Sequence, residues 1–386
     1  MSGFSFVILK VIQARFGQVF FDNYILILRY SGFIVPFIML GMGVSIPRHI
    51  SFIRHNSDST KDKNSVVETG IVIVLLAIFI TFLISFFLAN FFEFNKLLFN
   101  GHEYFFILIM YCAGLALFSS VYSVMRGFEE FKLIESLKIC LIGIPALFFI
   151  FYLKTLTDYL YVYTVLNCIV FIFVFWYKNI NININIKIES AVLVFGLKRV
   201  IGDVTYPLLV SIPIIYTVNS IGYESAAKFS FYIMLVNIFV MFVNPISTIM
   251  LTKAVKIVNS KSKLLNYIVF SFILSIVLSI FFSILSPYII SYFGYSINKI
   301  DIFNLSIILS FLSIYICVRS IIDAESETPH LLIMTLVALF FEILYLLLID
   351  YIGYLYIISS YFISFGILLI LSLIRYYRIY TNAESV

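Results

Sequence analysis

Long apolar segments alternate with short polar ones along nearly the whole of this sequence. A helix needs about 20 apolar residues to cross the roughly 30 Å hydrocarbon core of a membrane. Twelve segments approach that length, although the first is short and contains Lys10. The sequence therefore predicts an all-α polytopic membrane protein of about 12 transmembrane helices, with no domain outside the bilayer. The predicted spans are 3–14, 24–45, 69–91, 104–125, 137–153, 157–177, 200–219, 227–251, 265–290, 301–322, 331–349 and 353–373.

Loop charges predict how these spans are oriented. Lysine and arginine favour cytoplasmic loops, and most of the 25 basic residues lie in one alternating set of loops. Because this bias holds from loop to loop, both termini are expected in the cytoplasm. The same bias accounts for the net charge of +5 without a nucleic-acid partner.

The middle of the chain predicts a division into two lobes. Residues 179–188 alternate asparagine with isoleucine, apart from Lys187. A low-complexity linker and an interfacial strand both fit this pattern. The predicted domains are a six-helix lobe 1–178, a cytoplasmic linker 179–190 and a second six-helix lobe 191–386.

Prolines within the spans are candidates for helix bends. Proline removes a backbone hydrogen bond, which a membrane tolerates where neighbours or a water-filled cavity satisfy the freed carbonyl. Bent spans at matching positions in two halves point to a substrate path, although proline is also simply common in membrane helices. The predicted bend residues are Pro36, Pro207, Pro213 and Pro245.

Composition excludes a water-soluble protein and gives no support to an enzyme. The chain is 62% hydrophobic and 12% charged, whereas a soluble domain is roughly a quarter charged. The four cysteines lie in apolar segments without metal-ligand spacing, and the four histidines lie in loops. No catalytic triad, phosphate-binding glycine loop or metal cluster is evident. We therefore predict no cofactor, no bound metal and no catalytic residue.

Charged residues inside the spans are the candidate functional groups, because a charge at the bilayer centre costs roughly 3 kcal/mol on insertion scales. Guanidinium groups suit phosphate, and buried carboxylates suit cation or proton coupling. Snorkelling of Arg29, interfacial anchoring of Arg199 and a structural hydrogen bond of Glu342 are the alternatives. The predicted anion-binding residues are Lys10, Arg15, Arg29 and Arg199. The predicted ion-coupling residues are Asp22, Asp203 and Glu342.

Four segments of the sequence together have a familiar pattern: Ala14–Gly17 with Asp22–Tyr24, Pro36 with Leu40–Arg48, Arg126–Lys132 and Gly222–Tyr232. They resemble polysaccharide flippases of the multidrug/oligosaccharidyl-lipid/polysaccharide exporter superfamily, most closely the O-antigen flippases of the Wzx type. Arg15 and Asp22 match the arginine and the acidic position of the family's first hairpin. The short first span departs from the family pattern.

The resemblance implies two six-helix lobes around a cationic cavity and alternating access in a bacterial cytoplasmic (inner) membrane. The implied substrate is an undecaprenyl-diphosphate-linked oligosaccharide for O-antigen or lipopolysaccharide biosynthesis. Membrane lipids, a polysaccharide polymerase and the chain-length machinery are the implied partners. A cation-coupled multidrug antiporter of the same superfamily and a surface-polysaccharide polymerase are the alternatives.

Overall fold

The computed structural model describes residues 2–56, 60–91, 102–178, 189–247, 260–325, 330–352 and 357–382. Every regular element within these ranges is helical. The chain forms two compact units, Met1–Val204 and Thr205–Val386. The predicted all-α membrane fold is thereby confirmed.

The N-terminal unit is built around one central helix. Helix α5 packs against α2, α3, α4 and α8, and its Leu108, Cys112 and Ala116 are fully or almost fully buried. The elements of this unit are α1 (Ser2–Phe16), α2 (Gln18–Met39), α3 (Met42–Asn56), α4 (Thr60–Phe91), α5 (His102–Gly127), α6 (Phe131–Leu137), a π-helix (Lys138–Gly143), α7 (Ile144–Ile150), α8 (Leu156–Tyr177) and the first part of α9 (Ser190–Ser220).

The C-terminal unit also has a central helix. Helix α12 packs against α10, α11 and α14, and α14 packs in turn against α13. After the second part of α9, the elements are α10 (Tyr223–Val240), α11 (Lys261–Tyr292), α12 (Lys299–Glu325), α13 (His330–Ile352) and α14 (Ile358–Asn382). The central helices α5 and α12 correspond to the fourth and tenth predicted spans, which is the same position in each half of the sequence.

Each predicted span overlaps a helix. Within the described residues, eight helices are long and apolar enough to cross a membrane, and α2 with α3 would add a ninth if this pair, bent by 48°, forms one span. The remaining predicted spans fall on α1, α10 and α13. Helix α10 ends at Val240, before the turn residues 241–243, and α1 has only 15 residues.

A seam of hydroxyl groups joins α11 to α12. The Ser279 hydroxyl donates to the Ser306 carbonyl at 2.9 Å and lies 2.7 Å from the Ser310 hydroxyl. The Ser283 and Ser306 hydroxyls are 2.7 Å apart. The opposite face of α11 exposes Val277, Phe281 and other apolar side chains. This arrangement suits lipid, where apolar surface no longer drives association and small polar residues hold helices together.

The first part of α9 is fixed to the N-terminal unit. The Ser45 hydroxyl of α3 donates to the Val192 carbonyl at 2.7 Å. A Cβ atom added to Gly41 would lie 2.1 Å from the carbonyl oxygen of Gly196, so the two backbones meet without intervening side chains. The boundary between the units consequently lies inside α9, between Val204 and Thr205. Residues 179–188 of the predicted linker lie outside the described residues, and the predicted domain limits stay a prediction.

Candidate functional site

A chain of hydrogen bonds links Lys10 to Asp22. The Lys10 ammonium donates to Gln13 Oε1 at 2.8 Å, Gln13 Nε2 donates to Gln18 Oε1 at 2.7 Å, and Gln18 Nε2 donates to Asp22 Oδ1 at 2.9 Å. We call these four side chains the Lys10–Asp22 relay. The chain turns a corner between α1 and α2 at Gly17, whose φ of 86° is a conformation that favours glycine. This corner brings Gln13 of α1 close to Gln18 of α2, which allows the relay to form. The structure thus joins a predicted anion-binding residue to a predicted ion-coupling residue.

Four tyrosines pack together in the N-terminal unit; Tyr24, Tyr111 and Tyr159 are buried and Tyr163 is half-buried. The ring centroids of Tyr24 and Tyr159 are 6.0 Å apart, those of Tyr159 and Tyr163 are 6.3 Å apart, and those of Tyr111 and Tyr163 are 5.5 Å apart. These residues come from α2, α5 and α8, so their proximity is a property of the fold. The sequence analysis missed them, since tyrosine is abundant throughout the chain.

The two arginines of the first hairpin have different surroundings. Arg15 is exposed, and its Nη2 lies 3.5 Å from the Leu153 carbonyl oxygen, at the limit of a hydrogen bond. Arg29 is half-buried within α2. It follows Asp22 by seven residues, which places both on one face of the helix with about 10 Å between them along the axis.

Arg199 and Asp203 form an ion pair on α9. Arg199 Nε lies 3.8 Å from Asp203 Oδ1, one helical turn away, and their side chains are 42% and 31% exposed. Exposed pairs of this kind contribute about 1 kcal/mol or less. The sequence analysis assigned Arg199 to anion binding and Asp203 to ion coupling, whereas the structure shows that each partly neutralises the other.

Glu342 is fully buried on α13. Neither carboxyl oxygen has a hydrogen-bond partner of acceptable geometry among the described residues. The Ser364 hydroxyl of α14 is close enough to influence the carboxyl group, but it donates to the Tyr361 carbonyl at 3.3 Å. Ser364 is the candidate partner for the structural hydrogen bond that was the alternative for Glu342, and that alternative stays a prediction.

The four predicted bend prolines have different local effects. Pro36 precedes Leu40 and Gly41, whose φ angles of 44° and 72° mark the corner between α2 and α3. Pro207 and Pro213 lie inside α9, which continues through both. Near Pro213, the Thr217 hydroxyl donates to the Pro213 carbonyl and the Tyr361 hydroxyl to the Val210 carbonyl. Pro245 directly follows the interruption of α10, in the helical residues 244–247.

Lys138 is a further cation on a candidate membrane span, Phe131–Ile150, and the sequence analysis did not single it out. It begins the π-helix and lies over the rings of Phe118 and Tyr122. Pro145, just beyond the π-helix, is the sequence signal that could have indicated distorted backbone here. No group of three or more potential metal ligands occurs among the described histidine, cysteine, aspartate and glutamate residues.

The structure is similar over its whole length to solved MATE transporters. An inward-facing MATE family transporter of the MOP superfamily gives a TM-score of 0.70 at 13% identity, covering 100% of this chain and 96% of the other. An outward-facing MATE family transporter gives 0.66 at 12% identity, covering 99% and 93%. The MATE transporter ClbM in complex with Rb⁺ gives 0.64 at 14% identity, covering 98% and 90%.

The chain has the fold of the MATE transporters. No family model and no curated protein matches the sequence. At 12–14% identity, the likeness establishes the fold and leaves the substrate open.

Proposed function

We propose that this protein is a flippase for an undecaprenyl-diphosphate-linked oligosaccharide, such as an O-antigen repeat unit. It would act by alternating access in a bacterial cytoplasmic membrane, with both termini in the cytoplasm. A diphosphate headgroup cannot cross hydrocarbon unaided, and its sugars need a polar path. The lipid tail can remain in the bilayer while the headgroup passes through the protein.

The observation that carries this proposal is a MATE-type fold with basic side chains on its membrane helices. Lys10 and Arg29 are each half-buried on a helix, as is Arg199, whose charge Asp203 partly neutralises. Cations at such positions favour an anionic substrate over the cationic or neutral drugs of an antiporter. The resemblance of the first hairpin to polysaccharide flippases supports the same choice. The protein would then deliver its substrate to a polysaccharide polymerase and its chain-length machinery.

An ion gradient is the proposed energy source. Asp22 in the N-terminal unit and Glu342 in the C-terminal unit are the candidate coupling groups, because both carboxyl groups are buried. Their protonation or cation binding would change the charge inside a unit during the transport cycle. Asp203 is a weaker candidate, since its carboxylate is paired with Arg199.

A deletion strain and purified protein test the proposal together. Loss of the gene should trap the lipid-linked repeat unit on the cytoplasmic face and abolish surface polysaccharide. Proteoliposomes containing the protein should transfer the lipid-linked unit between leaflets, and Arg29→Ala should slow this transfer more than Arg29→Lys. Normal surface polysaccharide in the deletion strain would overturn the proposal. Flipped but unpolymerised units would instead indicate a polymerase.

A cation-coupled multidrug antiporter is the second candidate. The buried carboxyl group of Glu342 and the multidrug description of the inward-facing and outward-facing structures favour it. It requires a deletion strain that is hypersensitive to cationic drugs, and vesicles that expel a cationic dye when an ion gradient is applied. Drug sensitivity combined with intact surface polysaccharide would establish this function instead.

A further inference from the structure

The span from Phe131 to Ile150 contains a π-helix with a local cause. Pro145 has no N–H group, and its ring collides with the carbonyl four residues earlier in a regular helix. The backbone widens just before it, so that the Ile144 N–H donates to the Ile139 carbonyl, five residues back. Short π segments inside α-helices occur frequently at functional sites. The residue that begins this one is Lys138.

The ammonium group of Lys138 lies against aromatic rings of α5. Its Nζ is 5.6 Å from the ring centroid of Phe118 and 5.9 Å from that of Tyr122, within reach of a cation–π attraction. The residue is half-buried, whereas a lysine that snorkels extends its amine into water. The fold therefore holds this cation at the helix surface beside α5.

No hydrogen bond or ion pair within 4 Å engages the Lys138 ammonium in the described part of the chain. Glu135, one turn earlier, is the acidic residue whose charge acts on it. All three N–H donors of Lys138 are thus available to a ligand. A strongly hydrated ammonium that is half-buried without an acceptor is poorly satisfied, and an anion would satisfy it.

A second cation and a hydroxyl group share this face of α5. Tyr122 is half-buried, and Arg126 is exposed one helical turn further along the same face. The turn after Arg126 is held in place because Lys178 pairs with Glu130 and lies 4.8 Å from the ring centroid of Phe128. These contacts of Lys178 fix the turn that directly precedes helix α6.

We propose that Lys138, with Tyr122 and Arg126, forms a binding site for a phosphate or diphosphate headgroup within the N-terminal unit. The site lies toward the end of the unit that loop charges predict to be cytoplasmic, where a substrate would enter. The inference rests on the proposed flippase function. A lipid-linked sugar diphosphate and an anionic phospholipid present the same chemistry, so the experiment must separate them.

The test is binding to the full-length protein in nanodiscs of phosphatidylcholine. Undecaprenyl diphosphate is titrated in one arm and phosphatidylglycerol in another. Lys138→Gln should weaken undecaprenyl diphosphate binding about tenfold, the equivalent of one charge-assisted hydrogen bond. Lys132→Gln is the matched control, because Lys132 is exposed on the same helical segment, and it should leave the affinity unchanged. Glu135→Gln removes the competing charge and should leave binding equal or tighter.

The outcomes separate the site from the function. Wild-type protein that binds undecaprenyl diphosphate, with an unchanged affinity in Lys138→Gln, would overturn the site and leave the flippase function intact. Wild-type protein that neither binds nor flips the lipid-linked unit would overturn the function. Equal losses in both arms would support a phosphate site that does not distinguish the two lipids, and a loss in the phosphatidylglycerol arm alone would overturn the assignment to the lipid-linked substrate. If Lys138→Gln does not fold, Pro145→Ala should lower the affinity by removing the π-helix while it keeps the lysine.

Discussion

Replacing Glu342 by leucine is expected to stabilise the protein. The carboxyl group is fully buried and neither oxygen has a hydrogen-bond partner among the described residues. An unsatisfied buried polar group costs about 1–3 kcal/mol in mutational measurements. Leucine has a similar volume and removes this penalty, so Glu342→Leu should gain stability of that order. Glu342→Gln keeps a buried polar group without charge, and its stability should stay within about 1 kcal/mol of wild type.

The same substitutions should have the opposite effect on transport. Neither glutamine nor leucine can take up and release a proton, so both variants should lose ion-driven transport if Glu342 is a coupling group. A residue retained for structure alone would not give this combination, because loss of activity would then accompany loss of stability. Gain of stability with loss of activity is the pattern of a functional site.

Unfolding of purified protein, followed with a thiol-reactive dye, measures the stability. Cys112 and Cys317 are free and buried, whereas Cys140 is exposed and Cys168 is half-buried. The assay therefore uses a Cys140→Ser, Cys168→Ser background, in which the remaining thiols become reactive only when the fold opens. Thr335→Val is the matched control on α13, because the Thr335 hydroxyl is buried and already donates to the Leu332 carbonyl at 3.0 Å. A loss of more than about 1 kcal/mol in Glu342→Leu would refute the reasoning, since it would mean that the carboxyl group makes a favourable interaction.

Three other substitutions test the packing and the relay. Gly41→Ala should lower expression and stability by more than about 2 kcal/mol, because the new Cβ would meet the Gly196 carbonyl and the φ of 72° is unfavourable. Gly32→Ala, with nothing within 4 Å, should be neutral or mildly stabilising, and similar losses in both would contradict this account. Ser279→Ala should cost about 0.6–1.7 kcal/mol, and an unchanged unfolding midpoint would show that the hydroxyl seam is dispensable. Gln18→Leu should slow transport with little change in stability, and full transport activity would exclude the relay from the mechanism.

The membrane spans could be predicted from the sequence for a simple physical reason. Lipid makes apolar residues favourable on the outer faces of helices as well as in the interior, so each span appears as a continuous apolar segment. Helices such as α8 and α12 agree with their predicted limits to within a few residues. The π-helix could not be predicted in this way, because it arises from a backbone conflict at Pro145 that hydrophobicity does not register.

The sequence predicted several individual residues of the candidate site, but it predicted few of the contacts between them. Glu342 stands out in the sequence because it is charged and far from either end of its span, and the structure buries it completely. The spacing of Arg199 and Asp203 already allowed a pair on one helix face. The Lys10–Asp22 relay depends on the corner at Gly17, which the sequence analysis did not predict. Its two glutamines are uncharged, and a search for charged residues within the spans does not find them. The contact of Lys138 with α5 required the tertiary fold.

Glu342 differs from most other buried polar side chains of the C-terminal unit in its hydrogen bonding. Ser279, Ser283 and Tyr376 lie in apolar surroundings, and each hydroxyl has a hydrogen-bond partner. Two other hydroxyl groups of this unit, those of Ser286 and Ser313, are buried without a hydrogen-bond partner in the described part of the chain. Both carboxyl oxygens of Glu342 also lack a partner there, and a buried carboxyl group is more costly than a buried hydroxyl. We therefore expect a function that needs Glu342 to bind a proton or cation, because packing alone gives no reason to retain this more costly group.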